Sequence, residues 1–379
     1  MKTRAAVLRA APGDWVIEDL ELDEPGVGEV LVEMVASGIC HTDDHVTRGD
    51  IHLGHMPTVG GHEGSGIVRK LGPGVRGLEV GDHIVTAFIP GCGECRWCAS
   101  GMQNLCDNGA FVMTGSQLDG TYRLHTEDSL DVASFCLLGT FSEWQVYDEK
   151  SCVKVAKDIP LEIACLVACG VQTGFGSATN AGNVQPGDVV IVAGVGGVGM
   201  NAVQGAHISG AAHIIAVDPI EDKRKWALDF GATESFETIA AAMDRVRALT
   251  NGQGADVAIL TAGLVHNDLI GEGFAAIRKA GTLVITGVSP ETEDAVIPGV
   301  NALMLANFQK RIQGALYGMK SPREATPMLL DMYRAGKLKL DQLVTHIYTL
   351  DQVNEAYDDM RAGRNIRGVV HFLNKSEIS

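Results

Sequence analysis

The chain has 379 residues, enough for two domains with sizeable cores, and its 46% hydrophobic and 20% charged residues describe a globular protein, neither disordered nor membrane-like. Against 30 basic side chains stand 47 acidic ones, a formal charge of -17, which repels nucleic acid and anionic lipid and excludes both as partners. The opening MKTRAAVLRAAPGD breaks its apolar run with Arg4, Arg9 and Asp14, so it lacks a secretory h-region, and no run of about 18 apolar residues suggests a membrane span. The expectation is a cytoplasmic enzyme, in which nine cysteines are metal ligands and buried thiols sooner than a disulfide framework.

The first 150 or so residues carry short β-branched runs, Glu29 to Val35 and His83 to Ala87 among them, punctuated by Pro25, Gly28, Pro73, Gly74, Gly77 and Gly81. This predicts a compact β-rich domain. Within it, Cys40-His41-Thr42-Asp43-Asp44-His45 looks like one side of a site for a metal and a proton. Gly61-His62-Glu63-Gly64 offers an imidazole beside a carboxylate, and Cys169 a second thiolate. Cys40, His62 and Cys169 together make a Cys2His set, and three protein ligands leave a zinc ion its fourth position for water or substrate. Taken singly, each is also what a buried thiol or a core histidine looks like.

Cys92, Cys95, Cys98 and Cys106 follow as C-x2-C-x2-C-x7-C. One loop of four thiolates can wrap a tetrahedral ion, so this reads as a structural zinc site; a redox C-x-x-C pair would leave two of the cysteines idle. Cys136, Cys152 and Cys165 read as ordinary buried thiols.

From Val189 the pattern changes. Val189 to Ala193 is a wholly apolar run, Gly194-Val195-Gly196-Gly197-Val198-Gly199 follows directly, Met200 to Ser209 continues as a helix, and His213 to Asp218 is a second strand. This βαβ unit places G-x-G-x-x-G at its first turn and Asp218 19 positions beyond the last glycine, a dinucleotide-binding pattern. Asp218 can accept from the ribose hydroxyls and repels a 2′-phosphate, so NAD is expected over NADP. Asp256 to Leu260 and Gly281 to Thr286 continue the alternation of a doubly wound sheet. Ser321-Pro322-Arg323-Glu324 reads as a capping box opening a helix that Gly336 ends. The segment to Arg367-Gly368-Val369-Val370-His371-Phe372 is expected to rejoin the first domain, with a cleft between the lobes. The domain expectation is therefore 1–170 plus 317–379 for the zinc-binding part and 171–316 for the NAD-binding part.

With these motifs in this order, the sequence resembles the zinc-containing medium-chain alcohol dehydrogenases over nearly its whole length. The resemblance implies an α/β architecture, a Rossmann domain inserted into a β-rich GroES-like catalytic domain, and a zinc-dependent, NAD-linked alcohol oxidation at Cys40, His62 and Cys169. It implies that Thr42 bonds the alcohol oxygen, that His45 passes the proton to solvent by way of the cofactor ribose, and that Asp43 orients His62. Glu63 would lie beside the zinc without being a resting ligand. His41 and Arg367 match positions that contact the pyrophosphate, Lys223 one near the adenosine ribose, and Thr173 and Val198 ones near the nicotinamide. Phe88 and Trp144 are candidates for the substrate pocket, whereas Arg224 and Lys225 read as a solvated helix face. Partners are then a small alcohol or aldehyde and an electron acceptor, in a homodimer or homotetramer.

Thr114 through LDGTYRL to LLGTFSEW resembles the longer, class I and class III branches. Ala110 stands where an arginine is expected in the class III enzymes that oxidise a thiol adduct of formaldehyde, which argues against a glutathione adduct. A thiol-dependent formaldehyde dehydrogenase and a non-catalytic zinc and nucleotide sensor are the rival readings. GDIHLGHMPTVGGHEG and LLGTFS look closest to the nicotinoprotein group assayed with a nitrosoaniline dye, whose members retain their nicotinamide.

Overall fold

The computed structural model describes residues 1–289 and 296–372. The chain divides into two compact units, Met1–Cys169 with Ser321–Ser379, and Gly170–Lys320.

The first unit is built on strands. Lys2–Leu8, Val16–Leu22, Leu124–His125, Asp131–Ser134 and Thr58–Val59 close a small barrel around Ala5, Val7, Leu20, Leu22, Val59, Leu124 and Val132. A larger sheet runs Cys152–Val155, His83–Thr86, Gly64–Leu71, Glu29–Gly38, Arg367–His371, Val344–Tyr348, with Trp144–Asp148 also paired to Glu29–Gly38. The central strand Glu29–Gly38 is buried along almost its whole length, which is why its sequence is apolar without clean alternation. The return of the chain is a strand: Arg367–His371 lies antiparallel to Glu29–Gly38, with Val369 opposite Gly38.

The second unit is a six-stranded, wholly parallel sheet in the order Glu234–Phe236, His213–Val217, Val189–Ala193, Ala255–Leu260, Ile277–Ile285, Arg311–Gly314. The first strand in sequence lies third and the chain winds outward from it both ways, the doubly wound order that leaves a switch point beside the first strand. Its core is aliphatic, with Ile191, Ile215, Ala258, Leu260 and Leu283 inaccessible to solvent. Among the described residues no single helix is long and apolar enough to cross a membrane.

Three local expectations need correction. The helix after the glycine turn spans Gly197–Ile208, starting inside the motif, because the glycines themselves form its first turn. Ser321 makes no side-chain cap on the helix Pro322–Arg334; its hydroxyl donates to Gln103 Oε1 instead, and a capping box lies at Thr349 and Gln352. Trp144 packs against the barrel core with Ala5, Val7 and Leu20, so the contacts it makes are those of the fold.

Asp44, 3% exposed, joins the helix His41–Arg48 to the helix Val353–Arg361. Arg361 reaches it through Nε at 2.8 Å and Nη2 at 2.6 Å, and Arg48 through Nε at 3.2 Å. A buried carboxylate that loses its principal cation is left partly uncompensated, while Arg48 and solvent around Arg361 soften the loss. Arg361→Ala should therefore destabilise the chain by about 1 to 2 kcal/mol, read as a lower midpoint in chemical denaturation with an unchanged slope.

Candidate active site

Two clusters of ligand-type side chains form among the described residues of the first unit, and each brings its ligand atoms within 4.8 Å of one another. The first is Cys92, Cys95, Cys98 and Cys106. Its Cys92–Cys98 and Cys95–Cys106 sulfur separations are 3.8 and 3.9 Å. A tetrahedral ion with metal–sulfur bonds of about 2.3 Å requires sulfur–sulfur edges of about 3.8 Å, whereas a disulfide needs about 2.05 Å. The loop is organised for anionic sulfur: the Cys92 amide donates to Cys106 Sγ at 3.3 Å and the Cys95 amide to Cys92 Sγ at 3.2 Å. Those surroundings hold the Cys95 thiol down to about 6, its bonds at Cys98 and Asp107 contributing most; burial pushes Cys98 up to about 12. The spacing and the chemistry suit a zinc ion with all four positions filled by protein.

The second cluster is Cys40, His62, Glu63 and Cys169, all four buried. Cys40 precedes the first turn of the helix His41–Arg48. His62 and Glu63 come from the turn just ahead of strand Gly64–Leu71, and Cys169 from the break after Cys165–Ala168. Asp43, inaccessible to solvent, connects the first two: one oxygen accepts the Gly61 amide at 2.7 Å and the other faces His62 Nδ1 at 2.9 Å. With Nδ1 held, Nε2 is the nitrogen left for a metal, the usual tautomeric consequence of a carboxylate behind a ligating imidazole. The ring of His62 is wedged edge-on between Phe88, 6.0 Å away, and Phe135, 5.7 Å away.

Glu63 and Arg367 form a buried ion pair beside these atoms, Arg367 Nη2 bonding Glu63 Oε2. Gly38 makes the room for it, since a Cβ there would collide with the Glu63 carboxylate and the Arg367 guanidinium. Arg367 is 4% exposed and its Nε has no partner.

The charges of this buried set are strongly coupled. The hydrogen bond with Cys169 holds the Cys40 thiol well below its ordinary value and raises Cys169 in turn. Burial alone depresses His62, but Asp43, Cys40 and Cys169 together raise it well above the histidine range. Burial raises Asp43, and it pushes Glu63 up to about 7 against the pull of Arg367. A divalent cation replaces the missing positive charge here and displaces such protons, which is how thiolate–imidazole sets bind metal. The donor set therefore fits zinc.

Thr42 stands in the same first helical turn, its Oγ1 3.6 Å from Cys40 Sγ. His45 lies one turn on, 4% exposed, with Nδ1 3.0 Å from Asp50 Oδ2. Asp50 was absent from the residues singled out in the sequence, although it follows His45 by one helical turn and a glycine. His41 begins the same helix, its ring 6.4 Å from that of His45.

The glycine turn occupies the second unit. Gly194 has φ +90, and a Cβ there would meet the amide of Ala262 at 2.5 Å; at Gly199 it would strike the Gly194 carbonyl, whereas at Gly196 it would meet only open space. These are three distinct requirements: a tight turn, close helix packing, and a backbone left bare for a ligand's pyrophosphate. Asp218, 5% exposed, accepts the Val195 amide at 3.0 Å and the Ile220 amide at 2.9 Å. Its carboxylate is thereby locked at the end of the second strand, where an adenosine ribose sits in this fold. Gly197 and Val198 open the helix, and Gly174, next to Thr173, packs against the Val198 carbonyl. Lys223 lies on the helix Glu221–Asp229 just after Asp218. Arg224 departs from the solvated face expected of it: its guanidinium caps the Asp218 carbonyl at 2.6 Å and that of Pro219 at 3.0 Å. Lys225 remains outside, paired with Glu221 at 2.9 Å.

A doubly wound nucleotide-binding unit and a β-rich unit carrying a closed four-thiolate site and an open thiolate–imidazole site define a zinc-dependent dehydrogenase. Comparison with known proteins agrees. Residues 26–157 match the alcohol dehydrogenase GroES-like domain and residues 197–334 the zinc-binding dehydrogenase domain. The chain is 47% identical over 371 residues to the NDMA-dependent alcohol dehydrogenase of Amycolatopsis methanolica, covering 98% of this chain and 99% of that one. It is 43% identical over 373 residues to alcohol dehydrogenase B of Mycobacterium tuberculosis, with the same coverage. Among solved structures, benzyl alcohol dehydrogenase from Acinetobacter calcoaceticus superposes with a TM-score of 0.89 at 31% identity, covering 98% of this chain and 100% of that one. The chain belongs to the zinc-containing alcohol dehydrogenase family.

Proposed function

We propose that this chain interconverts a small alcohol and its aldehyde or ketone, with zinc held by Cys40, His62 and Cys169, a second, structural zinc held by Cys92, Cys95, Cys98 and Cys106, and NAD held by the glycine turn and Asp218. The observation that carries this reading is the buried thiolate–imidazole cluster with a hydroxyl, Thr42, 3.6 Å from one of its sulfurs. Zinc supplies Lewis acidity that eases deprotonation of an alcohol hydroxyl, and NAD supplies the hydride acceptor. In this reading Thr42 Oγ1 takes a hydrogen bond from the alcohol and His45 carries the proton onward. Asp43 keeps the His62 ring in place, and Glu63 with Arg367 balances charge beside the ligands without adding a resting ligand. His41 and Arg367 are assigned to the cofactor's phosphates, Lys223 to its adenosine end, and Thr173 and Val198 to its nicotinamide end. The nine free cysteines suit a reducing compartment, which supports the cytoplasm.

Asp218 carries the choice of nucleotide. A carboxylate whose oxygens are fixed by two backbone amides cannot swing away from a 2′-phosphate, and it offers lone pairs to ribose hydroxyls. Asp218→Ser should weaken NAD binding and relieve the block on NADP, by about tenfold or more each way. Equal affinity of the unaltered chain for both nucleotides in a calorimetric titration would rule the assignment out.

We further infer that NAD stays bound between turnovers and is recycled in place by a second substrate or electron acceptor. The support is GDIHLGHMPTVGGHEG, LLGTFS and the identity to a relative named for NDMA dependence. Each tenfold slowing of release at a constant on-rate corresponds to about 1.4 kcal/mol of binding, so a few added contacts suffice. Heat-denaturing well-washed protein should release nicotinamide dinucleotide in near-stoichiometric amount, and the native protein should couple alcohol oxidation to dye reduction with no NAD added. Cys169→Ser should abolish that coupling. An empty supernatant together with full dependence on added NAD would refute retention.

A further inference from the structure

We propose that Asp50 is the positioning residue of the proton path: it fixes the tautomer of His45, so that Nε2 receives the alcohol proton, and it forms the solvent-facing end of that path. This deepens the proposed alcohol oxidation and rests on it.

The geometry starts in the backbone. The helix His41–Arg48 ends at Gly49, whose φ of 81 lies in the left-handed region open to glycine. That turn folds the chain back, and the Asp50 amide donates to the His45 carbonyl at 2.9 Å. The same residue then places its Oδ2 3.0 Å from His45 Nδ1. Asp50 thus grips His45 at both its backbone and its ring.

A carboxylate only accepts hydrogen bonds, so the Nδ1 it faces must be the donor, and in a neutral imidazole the lone pair is then on Nε2. The histidine side chain left to itself in water favours the opposite tautomer, with the proton on Nε2, in which this nitrogen cannot act as a base. The aspartate therefore selects the form that the reaction needs.

Exposure assigns the direction of flow. The His45 side chain is 5% exposed and that of Asp50 is 32% exposed. The proton released by the alcohol O–H bond adds to Nε2, giving an imidazolium; the Nδ1 proton passes to Asp50 Oδ2 and from there to water, which leaves the ring neutral with its proton on Nε2. The starting form is restored when that proton leaves to water and Nδ1 takes one back through Asp50, a net release of one proton. No oxidant or further reactant enters these steps. The other charged or titratable groups of this helix are engaged elsewhere: Asp43 by Gly61 and His62 and Asp44 by Arg48 and Arg361, while the His41 ring lies 6.4 Å from that of His45.

The test uses zinc- and cofactor-replete protein carrying histidine labelled with 15N in the ring, with the His45 signal assigned by its loss in His45→Gln. Above the imidazole titration range, the unaltered chain should show protonated Nδ1 and bare Nε2. Asp50→Ala should move the proton to Nε2 or mix the tautomers and lower kcat/KM by about tenfold or more, with part of the loss restored by added imidazole. Asp50→Asn, whose amide oxygen still accepts from Nδ1, should keep the native tautomer and recover much of the rate. An unchanged tautomer and unchanged kcat/KM in Asp50→Ala would overturn the inference while leaving the dehydrogenase reading intact. A chain that oxidises no alcohol would instead sink that reading, with the tautomer still readable from the spectrum.

Discussion

Everything at the thiolate–imidazole site hangs on one carboxylate. Asp43 has no exposure to solvent, and its two oxygens are spent on the Gly61 amide and the His62 ring. The hydrogen bond to Gly61 and the ion-pair contact to His62 together fasten the helix His41–Arg48 to the turn that delivers His62 and Glu63. Cys40, just ahead of the helix, and Glu63, just after His62, are carried to the same point by the same connection. Burying so much charge is unfavourable unless every member has a partner. The partners are present: Arg367 for Glu63, Asp43 for His62, and Cys169 for Cys40. The remaining deficit is of positive charge, and it lies where a divalent cation would sit among two sulfurs and a nitrogen.

The helix His41–Arg48 is short, yet it carries both residues proposed for proton transfer, Thr42 and His45, about one turn apart. Its other supports are Asp44, clamped by Arg361 and Arg48, and Asp50, folded back on His45 by Gly49. A helix this short has little stability of its own, so its position is owed to these buried polar ties and to Val46, which packs into the core with Trp15, Ile39 and Tyr357. The nucleotide turn is held differently. It relies on the absence of side chains at Gly194, Gly196 and Gly199 and on an aspartate whose carboxylate binds the turn's own backbone at Val195.

What could be read in the sequence follows the range of the interactions involved. The nucleotide-binding unit was legible because strand, glycine turn, helix and acidic residue lie within one short stretch, and each declares its backbone requirement. The four-thiolate loop was legible for the same reason. Cys40, His62 and Cys169 are far apart, and spacing alone could not join them; resemblance to a family did, and the fold brings them together. Asp50 is hard to read from the string His45-Val46-Thr47-Arg48-Gly49-Asp50, because only the fold shows that the glycine turns the aspartate back onto the ring. A histidine followed by a glycine helix stop and an acid is the signal that was there to be used. The Arg361–Asp44 tie spans most of the chain and left no local trace. Ser321 has the neighbours of a capping box but bonds a tertiary partner, Gln103, and the residue type of Trp144 says less than the barrel core it packs against.

Two zinc ions should occupy chemically different sites in one chain, one enclosed by four sulfurs and one held by Cys40, His62 and Cys169. Anomalous diffraction recorded on either side of the zinc absorption edge tests it most directly. The account requires two peaks per chain, the first among Cys92, Cys95, Cys98 and Cys106 and the second within bonding distance of Cys40 Sγ, His62 Nε2 and Cys169 Sγ, about 2.0 to 2.3 Å. A crystal of the metal-replete protein showing a peak at the four-cysteine loop and none at Cys40, His62 and Cys169 would contradict it.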